Sequence, residues 1–411
     1  MANIRPFKAL RPQAQLAKAV ASRPYDVLSS AEAKIEAQGN PASFLHITKS
    51  EIDLPENVDV HAPEVYEQAK SNLQASIQRD TLFRESKECF YIYQLIMNGR
   101  TQTGLVCVSS VDDYENDIIK KHEFTRPEKE LDRINHIKTS GAQTGNVFLA
   151  YRNNEGIDQI IEKWKKTKSP GYDFTADDGI QHTIWIISDG SICDQISSIF
   201  ANEIPCTYIA DGHHRAASAS KVRLALGDEA TEGSNYFLTT LFPANDLHIM
   251  DYNRVVKDLN GLSVTDFLKA LENKFIVSTE GSTAFKPAHL HEIGLYTNHQ
   301  WYKLVAKEGT YTNDPIGVLD VTILQDNVLS ELLNINDPRT DTRVDFVGGI
   351  RGLAELEKRV DSGEMAAAFS IYPVSMDQLF DIADSGKVMP PKSTWFEPKL
   401  RDGLLTHLIY E

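Results

Sequence analysis

The chain has 411 residues, 41% of them hydrophobic and 24% charged, ordinary values for a globular protein and unlike those of a disordered or fibrous one. At about 150 residues per domain, this length predicts two or three domains with cores that need no staples. The 42 Lys and Arg against 58 Asp and Glu leave a net charge of −16, which repels phosphate backbones and anionic lipid, so neither nucleic acid nor a membrane surface is expected as a partner.

No run approaches the roughly 18 apolar residues that span a bilayer. Lys8, Arg11 and Lys18 interrupt the N-terminal stretch, so no signal peptide is expected. Cys89, Cys107, Cys193 and Cys206 form no closely spaced pair, which argues against a zinc site and a disulfide framework and for a soluble, reduced, cytoplasmic chain.

Ile4 to Phe7 and Arg23 to Leu28 read as extended or turn segments, because each proline pushes its predecessor out of the helical region. A helix is predicted from Pro63 to Glu85, with Val65, Ala69, Leu73 and Ile77 at spacings of four. Two strand-like runs, Cys89 to Ile96 and Thr103 to Val108, flank Asn98-Gly99 and predict a hairpin. Thr125-Arg126-Pro127-Glu128 has the form of a capping box opening a helix through Leu131, Ile134 and Ile137. Strands are predicted at Val147 to Tyr151, Thr183 to Ile187 and Thr207 to Ala210, with Lys163 to Lys168 as a solvated helix face.

The texture changes at Asn260-Gly261. A helix from Val264 to Phe275 opens what reads as a second unit, with a strand pair around Gly294 to Tyr296 and Tyr302 to Val305. Strands at Val344 to Val347 and Ala367 to Ile371 follow, then a capping box of Ser375 with Gln378 and a stop at Gly386. Without strict βαβ rhythm the class is α+β, in units 1–260 and 261–411.

Chemistry concentrates where the strand Thr207 to Ala210 runs into Asp211-Gly212-His213-His214-Arg215 and an Ala-rich helix. Asp211 suits the N-cap and Gly212 a tight turn. Ala219, Val222 and Leu226 share a face for packing on a sheet. A helix N-terminus is a ready phosphate site, and three potential cations set against the dipole call for an anion. Adjacent histidines point about 100° apart on a helix, which disfavours a shared zinc.

This turn resembles the phosphate-binding turn of the ParB/sulfiredoxin superfamily, which includes nucleotide hydrolases, a sulfinic-acid reductase and free-serine kinases. The whole chain resembles domain-of-unknown-function family 1015. The likeness rests on Arg23 to Val27, His122 to Thr125, Asp211 to Arg215, Tyr252 to Val256 and Met389 to Thr394. It implies a ParB/sulfiredoxin-like N-terminal core with an inserted hairpin and helices, and a second mixed α/β unit closing the site. It further implies that Asp211, Gly212, His213, His214 and Arg215 sit on the β- or γ-phosphate of ATP or ADP, Asp211 through Mg²⁺. Phosphoryl transfer between nucleotide and a small hydroxyl compound, with serine or phosphoserine first, is the expected activity.

Such transfer needs a carboxylate to take the hydroxyl proton. Glu123, beside His122, is the first candidate, Asp26 the second and Glu51 the third. Arg126 and Arg133 are placed to meet phosphate or to pair with Glu130. Lys392-Ser393-Thr394 lacks the glycines of a Walker A loop, yet its Pro-stiffened setting suits a phosphate or a carboxylate. Gly348-Gly349 reads as a second anion turn, and Asn253-Arg254 as ligands or a buried hydrogen-bonding pair. Two alternatives stand beside the kinase-like reading. One is a nucleotide-gated binding protein, for which no basic DNA-reading element is present. The other is a small-molecule hydrolase working through the two histidines.

Overall fold

The computed structural model describes residues 1–410. Apolar runs buried on both faces assemble a nine-stranded sheet. Its spatial order is Ile119–Lys120, Thr207–Asp211, Val147–Tyr151, Tyr236–Pro243, Arg100–Ser110, Phe90–Met97, Gln181–Ile187, Tyr172–Thr175, with Ile4–Arg5 paired to Arg100–Ser110. The Phe90–Met97 and Arg100–Ser110 strands form the expected hairpin. Asn98 and Gly99 take φ +53° and +78°, the double left-handed turn that matches strand twist. Ile92, Leu105, Cys107, Leu149, Ile209 and Phe237 fill the core on one face with helices Glu155–Thr167 and Gly190–Glu203.

The chain divides into two units, Met1–Leu247 with Pro398–Glu411, and His248–Glu397. The boundary expected at 260 therefore falls inside the second unit, and the tail assigned to 261–411 belongs to the first. Leu10 and Thr406 exchange both backbone hydrogen bonds, as do Ser22 and Asp402, and Leu400, Leu404 and Ile409 are buried. Burying those side chains anchors the tail.

The second unit is built on a six-stranded antiparallel sheet, ordered Phe275–Gly281, Gln300–Ala306, Glu292–Thr297, Ala367–Ile371, Tyr252–Val256, Val344–Gly348. Phe267, Leu271, Leu295, Leu324 and Phe369 form its core. The class is α+β. Among the described residues no helix is long and apolar enough to cross a membrane, and all four cysteines are free.

Three boundaries differ from expectation. The first long helix is Pro63–Gln78, because Asp80 takes φ +55° and Leu82–Arg84 pairs with Leu10–Pro12 instead. The helix at 264 ends at Leu271, since Phe275 starts an edge strand. Helix Pro127–Ser140 has Arg126 at its N-cap with no side-chain cap, so the Thr125 box is not made, and Leu131 is 58% exposed. The Ser375–Gln378 box forms reciprocally.

Candidate functional site

The strand Thr207–Asp211 pairs antiparallel with Val147–Tyr151, and its register slips between Ile209 and Asp211. A bulge at this point bends the strand end and re-aims Asp211. Gly212 then takes φ +101°, and a Cβ there would lie 3.2 Å from the Arg215 guanidinium carbon. Glycine meets both demands. The helix His213–Leu226 follows with no side-chain cap, so the N–H groups of its first turn lack partners within the helix.

Asp211 does not cap that turn. Its carboxylate lies 3.1 Å from Lys399 Nζ and 3.7 Å from an Arg215 terminal nitrogen. Burial alone would raise its pKa, but Lys399 and Arg215 outweigh that cost and hold the carboxyl well below its ordinary value.

The helix carries small residues from Ala216 to Ser220. Ala216 and Ala219 enter the sheet core, whereas Val222 and Leu226 pack on Ile137 and Ile409 rather than on the sheet. Ser218 Oγ reaches the Glu130 carbonyl at 3.2 Å. Small side chains thus let helix Pro127–Ser140 lie close, and the loop before it meets the turn. The His122 N–H donates to His213 Nε2 at 3.4 Å, and the two rings stand edge to face at 4.6 Å. Glu123 Oε2 is 3.7 Å from His213 Nδ1. The Arg126 N–H donates to His214 Nε2 at 3.0 Å.

These bonds correct the expected crowd of cations. With Nε2 accepting, each neutral ring of His213 and His214 carries its proton on Nδ1. Burial, helped by His122, drives His213 well below its ordinary pKa, and burial also lowers His214. Burial brings His122 down to about 4. Of the three residues, Arg215 alone stays cationic.

Its guanidinium is 9% exposed, donates to the Asn146 carbonyl, and lies 3.4 Å from Asp26 Oδ2. Burial works against the charge, but Asp26 and Asp211 raise the Arg215 pKa further. Asp26 is set by the single turn Tyr25–Val27, whose Tyr25 ring lies under the Arg133 guanidinium at 4.0 Å. Arg133 is buried and paired with Asp132 at 2.6 Å, so it does not offer itself to phosphate. Glu130 takes Lys221, not Arg126 or Arg133. Glu51 is held by Ser30 at 2.6 Å and Lys49 at 3.0 Å.

Asn253, Arg254, Lys392, Ser393 and Thr394 belong to the second unit. Asn253 is a hydrogen-bonding core residue, donating to Asp251 at 2.6 Å and accepting from the Ile371 N–H at 3.0 Å. Gly348 and Gly349 serve close packing: a Cβ would meet Trp395 at 3.0 Å and Asp251 at 2.5 Å. The Gly349 N–H is already bonded to the Asp251 carbonyl.

Sequence reasoning gave no role to Lys399, Asn146 or Asp402, although Lys399 closes the group-rich stretch from Pro390. The apolar Leu400, Leu404, Leu405 and Ile409 in so short a stretch were the available signal that the tail is buried. His122 Nδ1, Asn146 Oδ1 and Asp402 Oδ2 are buried without a hydrogen-bond partner, valences that a ligand or water would satisfy. Burial pushes the Asp402 carboxyl up to about 7 against the pull of Arg215. Raised above an unfolded value of about 3.9, this group favours folding most below pH ~4, and that contribution is lost as pH rises through about 7. Asp402→Asn is therefore expected to raise Tm at pH 8 relative to the parent and to change it little at pH 4. Scanning calorimetry at the two pH values checks this.

An α+β chain with a bulged strand, a left-handed glycine and an open helix start is thus defined. Residues 4–322 match the family model described as Protein of unknown function (DUF1015), and the chain belongs to that family. No curated protein matches it. Among solved structures it is similar to a conserved hypothetical protein from Pyrococcus furiosus, at 14% identity over 74% of this chain and 95% of that one, TM-score 0.35. It is also similar to a free serine kinase in complex with AMP, at 13% identity over 74% and 91%, TM-score 0.34. SbnI with a C-terminal truncation, from Staphylococcus aureus, matches at 10% identity over 74% and 87%, TM-score 0.39.

Proposed function

We propose that this protein moves a phosphoryl group between a nucleotide, ATP or ADP, and a small hydroxyl metabolite, with serine or phosphoserine as the first substrate to try. The observation that carries the reading is the uncapped first turn at Gly212, with Asp211 beside Lys399 and Arg215 and with Glu123 beside His213. The N–H groups of His213, His214 and Arg215 would receive the phosphate, with Arg126 at the loop rim. Asp211, with Asp26 also on Arg215, offers the one or two carboxylates that Mg²⁺ takes beside a phosphate, and the ion when bound neutralises phosphate charge.

In the forward direction the substrate hydroxyl oxygen bonds to the γ-phosphorus, and the bond from that phosphorus to the bridging oxygen breaks. Glu123 takes the hydroxyl proton, and the leaving charge stays on the nucleoside diphosphate. His213, its Nδ1 proton facing Glu123 and its Nε2 held by the His122 N–H, orients the carboxylate. A hydrolase using His213 as free base has less support, because Nε2 is already engaged.

ADP at a hundredfold excess over its Kd is expected to stabilise the fold by about 2.7 kcal/mol, read as a rise in Tm. Phosphorus NMR of the protein with serine, phosphoserine and a nucleotide panel is expected to show exchange. Silence across that panel rejects the proposal.

A further inference from the structure

Arg254, on the strand Tyr252–Val256, is 3% exposed. Its guanidinium donates to the Tyr252 carbonyl and, at 3.1 Å, to the Pro391 carbonyl, and lies 5.2 Å from the Phe346 ring. All of these partners are neutral, and among the described residues no carboxylate pairs with it. Buried charges in proteins are ordinarily paired, because desolvating a lone one is costly. Burial accordingly lowers its pKa to about 9, with Tyr252 opposing.

A second, independent feature sits on the same two residues. Lys392, next to Pro391, takes φ +57°, a strained conformation for a residue with a side chain. That backbone carries its ammonium to 5.8 Å from the Tyr252 ring. The loop is fixed on both sides: Ser393 Oγ bonds the Pro390 carbonyl at 2.6 Å, and Trp395–Phe396 pairs with Ile249–Met250. Asp251, the acid adjoining Tyr252, is engaged by Asn253 and by Lys286 at 3.6 Å. A buried cation at the Tyr252 carbonyl and an exposed one over its ring are thus neighbours of one residue, and among the described residues no carboxylate pairs with either. A carboxylate would neutralise one of them, whereas a phosphate dianion matches both.

We propose that Arg254, Lys392 and the Pro390–Thr394 loop form an anion site in the second unit that takes the phosphate group of a small molecule. This does not rest on the reading of the Asp211 turn. The probe is inorganic phosphate, titrated at constant ionic strength against chloride on the full chain. Lysine acylation by an N-hydroxysuccinimide ester is read by mass spectrometry, with exposed Lys358 as internal reference. Lys392 acylation is expected to slow at least fivefold and saturably with phosphate, and Arg254→Gln to abolish that protection. Asp211→Asn is expected to keep it, which separates this claim from phosphoryl transfer. Parallel titrations with ATP and phosphoserine identify what carries the phosphate, since tighter protection by either supports the site. Should Arg254→Gln not fold, the parent's phosphate-against-chloride comparison still decides. Equal Lys392 acylation in both salts, or protection that persists in a folded Arg254→Gln, overturns the proposal.

Discussion

Arg215→Met is expected to destabilise the protein by about 3 kcal/mol, the lower end of what breaking a buried ion pair costs. The guanidinium is the shared counter-ion of Asp26 at 3.4 Å and Asp211 at 3.7 Å, and it also holds the Asn146 carbonyl. Asp402 feels the same charge. Removing it takes the counter-charge from Asp26 and Asp211, with Lys399 still beside Asp211. The side chains of Asp26 and Asp211 are about one-third open to solvent, and that access keeps the cost from reaching the upper end. Urea denaturation is the measurement: the midpoint falls while the slope is unchanged. Adding Asp26→Asn to the variant is expected to restore part of the loss, since one uncompensated charge is then gone. A loss below about 1 kcal/mol would place Arg215 among ordinary surface cations and contradict its role as keystone of the turn.

What was legible in the chain was local. An apolar strand, Asp-Gly and an Ala-rich helix lie within twenty residues, and both halves of the Asn98-Gly99 hairpin carry their own signals. The Ser375–Gln378 box spans three positions and formed as read. The Thr125 box failed because the Thr125 hydroxyl bonds the Glu130 carboxylate and the helix starts one residue later, with Arg126 at its N-cap. Asp211 looked like a cap because sequence shows a short acidic side chain before a helix but not Lys399, 188 positions on, which draws it aside. The histidines were misjudged on charge rather than on place. Protonation depends on burial, and His213 is buried by a loop that spacing alone does not bring to it. Glu123 was chosen from chemistry, as a carboxylate before a helix start, and the fold sets its Oε2 3.7 Å from His213 Nδ1.

Glu123→Gln and Asp211→Asn are expected to fail in different ways, and the difference tests the assignment of roles. If Glu123 takes the hydroxyl proton, its amide lowers kcat by about 10²–10⁴, the usual span for a general base. The nucleotide-induced rise in Tm should survive, since Glu123 faces His213 Nδ1 rather than the open N–H groups of the first turn. Asp211 has the opposite profile. Its amide removes a carboxylate held between Lys399 and Arg215, and with it the oxygen donor that Mg²⁺ would use. Magnesium-dependent stabilisation by ADP and phosphoryl exchange should then vanish together. Isothermal titration with ADP, with and without Mg²⁺, separates the two variants from each other and from misfolding. Equal loss of ADP affinity in both would return Glu123 to a binding role and leave Asp26, the other carboxylate on Arg215, as the base.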